Sequence, residues 1–268
     1  MNTRQRTVHI DALRGLAVLL MVLVHAAATW EPQLSGPWLL FGALVSGAGG
    51  LAAPLFAALL GWGLYQRQLL PKQRVWRAAC LFLCQGVVNL SAPHLFDPWT
   101  PGVLTLLGLL VLLEGVWKQT FQRLDNPAKV FAGFGVALVV STHALRDIQG
   151  PSMWIERVVV ADPIEWGQHL ALTGLYPLFP WILFAMFGTA VAACTDEQRN
   201  QLLNTTIVFG VGVSSLFLVE SWRSNVPWAL PMGNAYLTFF PANAAFLIAA
   251  LAGAALLWKM TETIDAFQ

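Results

Sequence analysis

Val8-His9-Ile10-Asp11-Ala12-Leu13-Arg14-Gly15-Leu16-Ala17-Val18-Leu19-Leu20-Met21-Val22-Leu23-Val24-His25-Ala26-Ala27-Ala28-Thr29-Trp30 is the stretch whose reading decides the fold. A helix rises ~1.5 Å per residue and a bilayer core is ~30 Å thick, so about 20 apolar residues make a span. This run meets that length, yet it holds Asp11, Arg14 and His25. Arg14 and His25 are eleven residues apart, almost three turns, so they share one stripe about 16 Å apart along the axis. Asp11 and Arg14, three apart, are placed to pair near the cytoplasmic end. Ionisable groups inside a span face a cavity or one another, so the stripe predicts an internal passage shared by Arg14 and His25. The plainer alternative for Asp11 and Arg14 is an anchor that snorkels to the headgroups. His25 cannot snorkel far, and a neutral imidazole can act as a base near pH 7.

Composition extends the membrane reading to the whole chain. Of the 268 residues, 57% are hydrophobic and 11% charged, and the mean hydropathy is +0.62. A soluble fold would have too few polar side chains to cover itself, so lipid is the expected solvent. The net charge of +1, dispersed between apolar runs, excludes the concentrated basic face that a nucleic-acid partner needs. A cleaved signal peptide is considered because Arg4 and Arg6 precede the first run, and rejected because such a segment has no use for Asp11, Arg14 and His25. Cys80, Cys84 and Cys194 lie in or beside apolar stretches, and Cys80 and Cys84, four apart on one predicted helix, read as small packing residues.

Eight runs reach span length: 8–30, 40–65, 76–92, 99–117, 128–145, 170–193, 201–220 and 238–259. The second holds Ser46-Gly47-Ala48-Gly49-Gly50, a place for a short helix to give way to the span proper. Pro101 is read as a first-turn proline, and Asp125-Asn126-Pro127 as the cap of the fifth helix. Of the 15 lysines and arginines, Arg4, Arg6, Arg67, Lys72, Arg74, Arg77, Lys118, Arg123, Lys129, Arg199 and Lys259 fall on one side, only Arg146, Arg157 and Arg223 on the other, and Arg14 within the first run. The positive-inside rule then puts both termini in the cytoplasm, with Trp30, Trp38, Trp99, Trp166 and Trp228 near the outer boundary. The expected architecture is all-α, a polytopic membrane bundle of about eight helices forming a single domain over residues 1–268.

The connection 146–169 is extracytoplasmic in this topology and is a candidate lid. His94, Asp97, His143 and His169 fall on the same side as His25; their spacings match no metal-ligand motif, so no metal is expected. His94, Asp97 and His169 are the candidates for orienting an acceptor there. Lys72, Arg74 and Arg77 form the densest inner basic cluster. Topology alone explains it, and phosphate binding by Arg74 and Arg77 is the functional alternative. Asn89, Glu114, Glu220 and Asn243 are polar positions in or near spans that need partners. Tyr176, Pro177, Pro180 and Trp181 read as structural, the prolines bending a helix.

Four segments together resemble the membrane acyltransferases related to heparan-α-glucosaminide N-acetyltransferase. They are Ile10-Asp11-Ala12-Leu13-Arg14-Gly15-Leu16-Ala17 ending in Met21-Val22-Leu23-Val24-His25; Pro54-Leu55-Phe56 with Gly61-Trp62-Gly63-Leu64; Tyr176-Pro177-Leu178-Phe179-Pro180-Trp181 with Gly188; and Phe239-Phe240-Pro241-Ala242-Asn243-Ala244-Ala245-Phe246-Leu247. They occur in family order across nearly the whole chain. The resemblance implies transfer of an acetyl group from cytoplasmic acetyl-CoA to a sugar amine or hydroxyl outside, in a bacterial-type inner membrane. It implies that Arg14, beside Asp11, holds the CoA side and that His25 is the base or carries the acetyl group. The implied partners are the bilayer, acetyl-CoA and an extracytoplasmic glycan or small sugar, with a homo-oligomer open. A non-catalytic membrane protein on the same scaffold is the competing expectation.

Overall fold

The computed structural model describes residues 7–30, 33–123, 125–150 and 152–265. Arg4 and Arg6, used above for orientation, lie outside them. The helices are α1 (Val8–Trp30), α2 (Trp38–Gly49), α3 (Ala52–Tyr65), α4 (Pro71–Ser91), α5 (Val103–Leu112), α6 (Glu114–Arg123), α7 (Pro127–Ala144), α8 (Trp154–Val158), α9 (Pro163–Gln168), α10 (Leu178–Ala193), α11 (Asp196–Ser224) and α12 (Ala244–Asp265). A π-helical turn, His169–Thr173, follows α9, and Ala229–Leu230 pairs in parallel with Leu237–Thr238.

Each of the eight predicted runs overlaps a helix, but they are not equally plain as spans. Five stretches among the described residues are long and apolar enough to cross a membrane: α1, α2 with α3, α7, α11 and α12. The number reaches seven when two bent pairs are each taken as one span. One is α5 with α6, bent by 55°; the other is Pro163–Thr173 with α10, bent by 47°. α4, with Lys72, Arg74 and Arg77 in its first two turns, is in neither set. Local chemistry explains several boundaries. Asn126 caps α7 by accepting from the Lys129 N–H, with Pro127 in the first turn as expected. Pro101 instead lies outside α5, whose N-cap is Gly102. The sixth run breaks over Gly174–Pro177 with a 47° bend, and Phe179, just before Pro180, is non-helical, so the prolines sit at the bend.

α3 and α10 pack along more of their length than any other pair. Two glycines make this possible. A Cβ on Gly61 would collide with the Ala185 carbonyl, and one on Gly188 with the Ala58 carbonyl, so the backbones touch where no side chain fits. Beside this seam the Thr189 hydroxyl donates to the Gly61 carbonyl at 3.2 Å and accepts from the Trp117 indole at 3.2 Å, tying α6 to both helices. α11 and α12 approach in the same way at Gly210, against Ala252.

The helix ends sort into two groups. At one end His9, Arg199 and Glu262 meet, with Arg199 Nε 3.2 Å and His9 Nε2 3.8 Å from Glu262 Oε1. On the same side of the bundle by chain alternation, Lys118 donates to the carbonyls of Leu64 and Arg67, covering the end of α3. At the other end the Thr100 hydroxyl donates to the Val158 carbonyl at 2.6 Å. There the third and fourth family segments converge: Tyr176 lies 5.9 Å from Phe239 and 5.6 Å from Phe240 between ring centres, and Trp181 lies 5.1 Å from Phe239.

The seam makes a sharp prediction. Gly188→Val is expected to destabilise the bundle by about 1–3 kcal/mol or more through overpacking. Gly212→Val, at a position with open space around it, is expected to leave stability unchanged. Thermal melting of the two purified variants in one detergent checks this.

Candidate functional site

The inward face of α1 is set by Ile10, Leu13, Ala17 and Leu20, which recur at helical spacing and are buried against the bundle. Arg14 and His25 therefore lie on the outward side. The Arg14 side chain is 52% exposed and its Nη1 donates to Asp11 Oδ1 at 2.9 Å, so the predicted pair forms. The expected passage through the bundle's interior is not where these two groups point. The physical reason is that small and branched residues, not the polar stripe, occupy the packing face of α1. Asp11 and Arg14 lie in the first two turns of α1, paired and outward, which is where the anchoring alternative would put them.

His25 Nδ1 lies 2.7 Å from the Met21 carbonyl of its own helix. A carbonyl only accepts, so Nδ1 carries the proton, and in the neutral ring Nε2 keeps its lone pair. No side chain among the described residues takes that lone pair. His169 is the contrast. It is buried, its Nε2 donates to the Val159 carbonyl at 3.1 Å, and its Nδ1 accepts from the Thr173 hydroxyl at 2.7 Å. With both nitrogens used, His169 is a strut of the π-helical turn.

Of the remaining acceptor-side candidates, Asp97 belongs to the same end of the bundle as His169. Asp97 Oδ1 accepts from the Trp99 N–H at 3.1 Å and closes the turn that presents Thr100. Thr100 and His169 hold the neighbouring carbonyls of Val158 and Val159, so the structure joins the Asp97 turn to His169. His94 is exposed in the preceding turn, and His143 is exposed near the end of α7. Asn89, read as needing partners, finds them here: it accepts from Gln85 and donates to the Pro98 and Thr100 carbonyls.

Arg157 is the residue that sequence reasoning missed. It is 1% exposed, and its guanidinium donates to the carbonyls of Thr173, Gly174, Gln149 and Gly150 at 2.8–3.2 Å. Burial pushes it down to about 10, so it stays a cation at neutral pH. One signal was legible: an arginine on the side otherwise poor in basic residues, followed by Val158-Val159-Val160. This hub makes the 146–169 connection a docked cap on the bundle end.

At the opposite end Arg74 Nε is 3.6 Å from Glu114 Oε1, and Glu114 is buried at the break between α5 and α6. Arg74 is thereby engaged with Glu114, while Arg77 is exposed. Glu220 and Arg223 line a shallow cavity of about 380 Å³ on α11, next to one of about 650 Å³ that includes Trp222 and Asn225. No candidate catalytic residue lines either. No group of three or more His, Cys, Asp or Glu among the described residues could hold a metal ion.

A helical bundle with several membrane-length apolar helices and an ionisable first helix defines an integral membrane protein. Residues 6–219, well over half of the 268, match the family model for heparan-alpha-glucosaminide N-acetyltransferase, catalytic, and the chain belongs to that family of membrane acetyltransferases. Comparison with curated proteins and with solved structures gives no match.

Arg157→Met is expected to cost about 3 kcal/mol or more, since buried carbonyls lose their donor, and to speed protease cleavage between residues 146 and 175. A folded value of about 10, below the usual arginine value, means the cation persists at any lower pH. Protection of this segment in the unaltered protein is therefore expected to be level from about pH 6 to 9, which limited proteolysis across that range checks.

Proposed function

We propose that this protein moves an acetyl group from cytoplasmic acetyl-CoA to an extracytoplasmic sugar amine or hydroxyl, with His25 as the general base. The observation that carries the reading is the His25 hydrogen bond to Met21, which leaves Nε2 as an available base on the outer half of the first helix. Family membership supplies the reaction class. In the proposed chemistry Nε2 takes the proton from the acceptor as its nitrogen or oxygen attacks the acyl carbon. The C–S bond of the thioester breaks, and the proton leaves with the thiol of CoA. If the acetyl group passes through the imidazole, the same lone pair is the nucleophile.

Acetyl-CoA supplies the activated acyl group. Arg14, half exposed beside Asp11 and three turns inward of His25, is the residue proposed to hold its anionic portion. Arg77, exposed at the start of α4, is a second contact in this proposal; Arg74 contributes less because Glu114 engages it. His94 and Asp97 are proposed on the acceptor side, and His169 acts there only by holding the π-helical turn. The proposed topology has eight spans and cytoplasmic termini in an inner membrane. Supporting it, the end where His9, Arg199 and Glu262 meet is the end rich in lysine and arginine.

The test is acetyl-CoA-dependent thiol release by purified protein offered a panel of amino sugars and polyols. His25→Ala is expected to lower kcat by about 10²-fold or more, and Arg14→Ala to raise the KM for acetyl-CoA. Unchanged turnover in His25→Ala removes that residue from the mechanism. No turnover with any acceptor, together with no acetyl-CoA-induced rise in melting temperature, favours the non-catalytic scaffold.

A further inference from the structure

Glu220 needs a partner by its place near the end of a span, and the bundle supplies none. Neither its carboxylate nor the Arg223 guanidinium has a hydrogen bond or ion pair among the described residues, and both side chains are exposed. The same spacing closes elsewhere: Arg14 pairs with Asp11 at 2.9 Å and Arg199 with Asp196 at 2.6 Å. Depth is fixed by the helix itself. Arg199 and Glu220 are 21 residues apart with no charged residue between them, a rise of ~31 Å that matches a hydrocarbon layer of ~30 Å. Arg199 is held at the end where it meets Glu262. Glu220 and Arg223 therefore lie at headgroup level on the opposite side, the outer leaflet in the proposed topology.

The end of α11 is also notched. Asn225 takes a left-handed conformation, φ 56°, and the Ser221 hydroxyl donates to the Val226 carbonyl at 2.7 Å, which turns the chain back beside the helix. The cavity of about 650 Å³ is lined by Leu218 and Trp222 from the helix and by Val226 and Pro227 from the returning chain. The cavity of about 380 Å³ shares Val219 with it, includes Glu220 and Arg223, and extends back to Val213. Two unpaired opposite charges thus stand at the boundary, with about two turns of apolar wall below them.

We propose that this notch binds a zwitterionic aminophospholipid, whose headgroup carries a phosphate and a primary amine joined by two carbons. Arg223 takes the phosphate and Glu220 the ammonium, each through charge-assisted hydrogen bonds. The two residues are three apart on one helix face, ~4.5 Å along the axis, a separation that the two-carbon bridge spans. An acyl chain lies along Leu216 and Phe217. Trp222, 84% exposed, stands at the headgroup level that indoles favour. Charge complementarity selects this occupant. An anionic phospholipid satisfies Arg223 but sets its phosphate against Glu220. A choline headgroup has both charges and no N–H to donate to the carboxylate. A soluble phosphate has nothing to lay on the apolar wall. The site is independent of the acetyl transfer proposed above.

The experiment is tryptophan quenching of the full-length protein in phosphatidylcholine vesicles that carry a minor, equal fraction of phosphatidylethanolamine, phosphatidylglycerol or phosphatidylcholine with brominated acyl chains. Bromine quenches an indole at contact, and the share belonging to Trp222 is the difference between the unaltered protein and Trp222→Phe. Brominated phosphatidylethanolamine is expected to quench that share about threefold or more strongly than either other lipid. Arg223→Gln is expected to remove the preference, and Glu220→Gln to move it to phosphatidylglycerol, because Arg223 then stands alone. The exchange Glu220→Arg/Arg223→Glu is expected to keep phosphatidylethanolamine in first place, and melting temperatures to stay level, since neither side chain is packed. Equal quenching by the three lipids marks ordinary boundary lipid and overturns the proposal. So does an unchanged preference in both single variants, or its loss in the exchange variant. Displacement of the brominated lipid by soluble phosphoethanolamine also overturns it, since the notch would then recognise a free headgroup rather than a lipid.

Discussion

The bundle depends on the close approach of α3 and α10, where Gly61 meets the Ala185 carbonyl and Gly188 the Ala58 carbonyl. In a lipid solvent apolar side chains gain little by leaving their surroundings, so helix association relies on close packing and polar ties. Two missing side chains bring the α3 and α10 backbones together, and the Trp117–Thr189–Gly61 hydrogen bonds fasten α6 to the same place. The other helices are arranged around that seam. α7 packs on α10, α1 on α3, and α12 carries α11 on its outer side.

The second constraint is that backbone polar groups freed by helix breaks must be answered within the protein. The long chain between α7 and α10 would expose many of them. Arg157 gathers four carbonyls, His169 and Thr100 take two more, and the irregular segment becomes a fitted cap. Lys118 does similar work for the end of α3. Against this pattern of internal satisfaction, the outward Arg14 and the available Nε2 of His25 are conspicuous, and that contrast draws functional interest to α1.

Three of the four segments that carry the family resemblance turn out to have a packing role. Gly61 and Gly188 are the seam; Tyr176 and Trp181 stack with Phe239 and Phe240 across about sixty residues of sequence. Only the first segment presents polar chemistry at the surface. Much of the resemblance therefore falls on residues with which the helices meet.

The sequence by itself determined the membrane setting, the helical runs and the Asp11–Arg14 pair, because these depend on length, polarity and short-range spacing. It also singled out His25. It could not tell that His169 spends both nitrogens on structure or that Arg157 is a buried hub, since both facts come from carbonyls supplied by distant turns. Which way the α1 stripe faces was decided only by the tertiary structure. A helix with polar residues on one side and Ile10, Leu13, Ala17 and Leu20 on the other fits a bundle with either side inward, and it was the packing on α3 and α12 that chose.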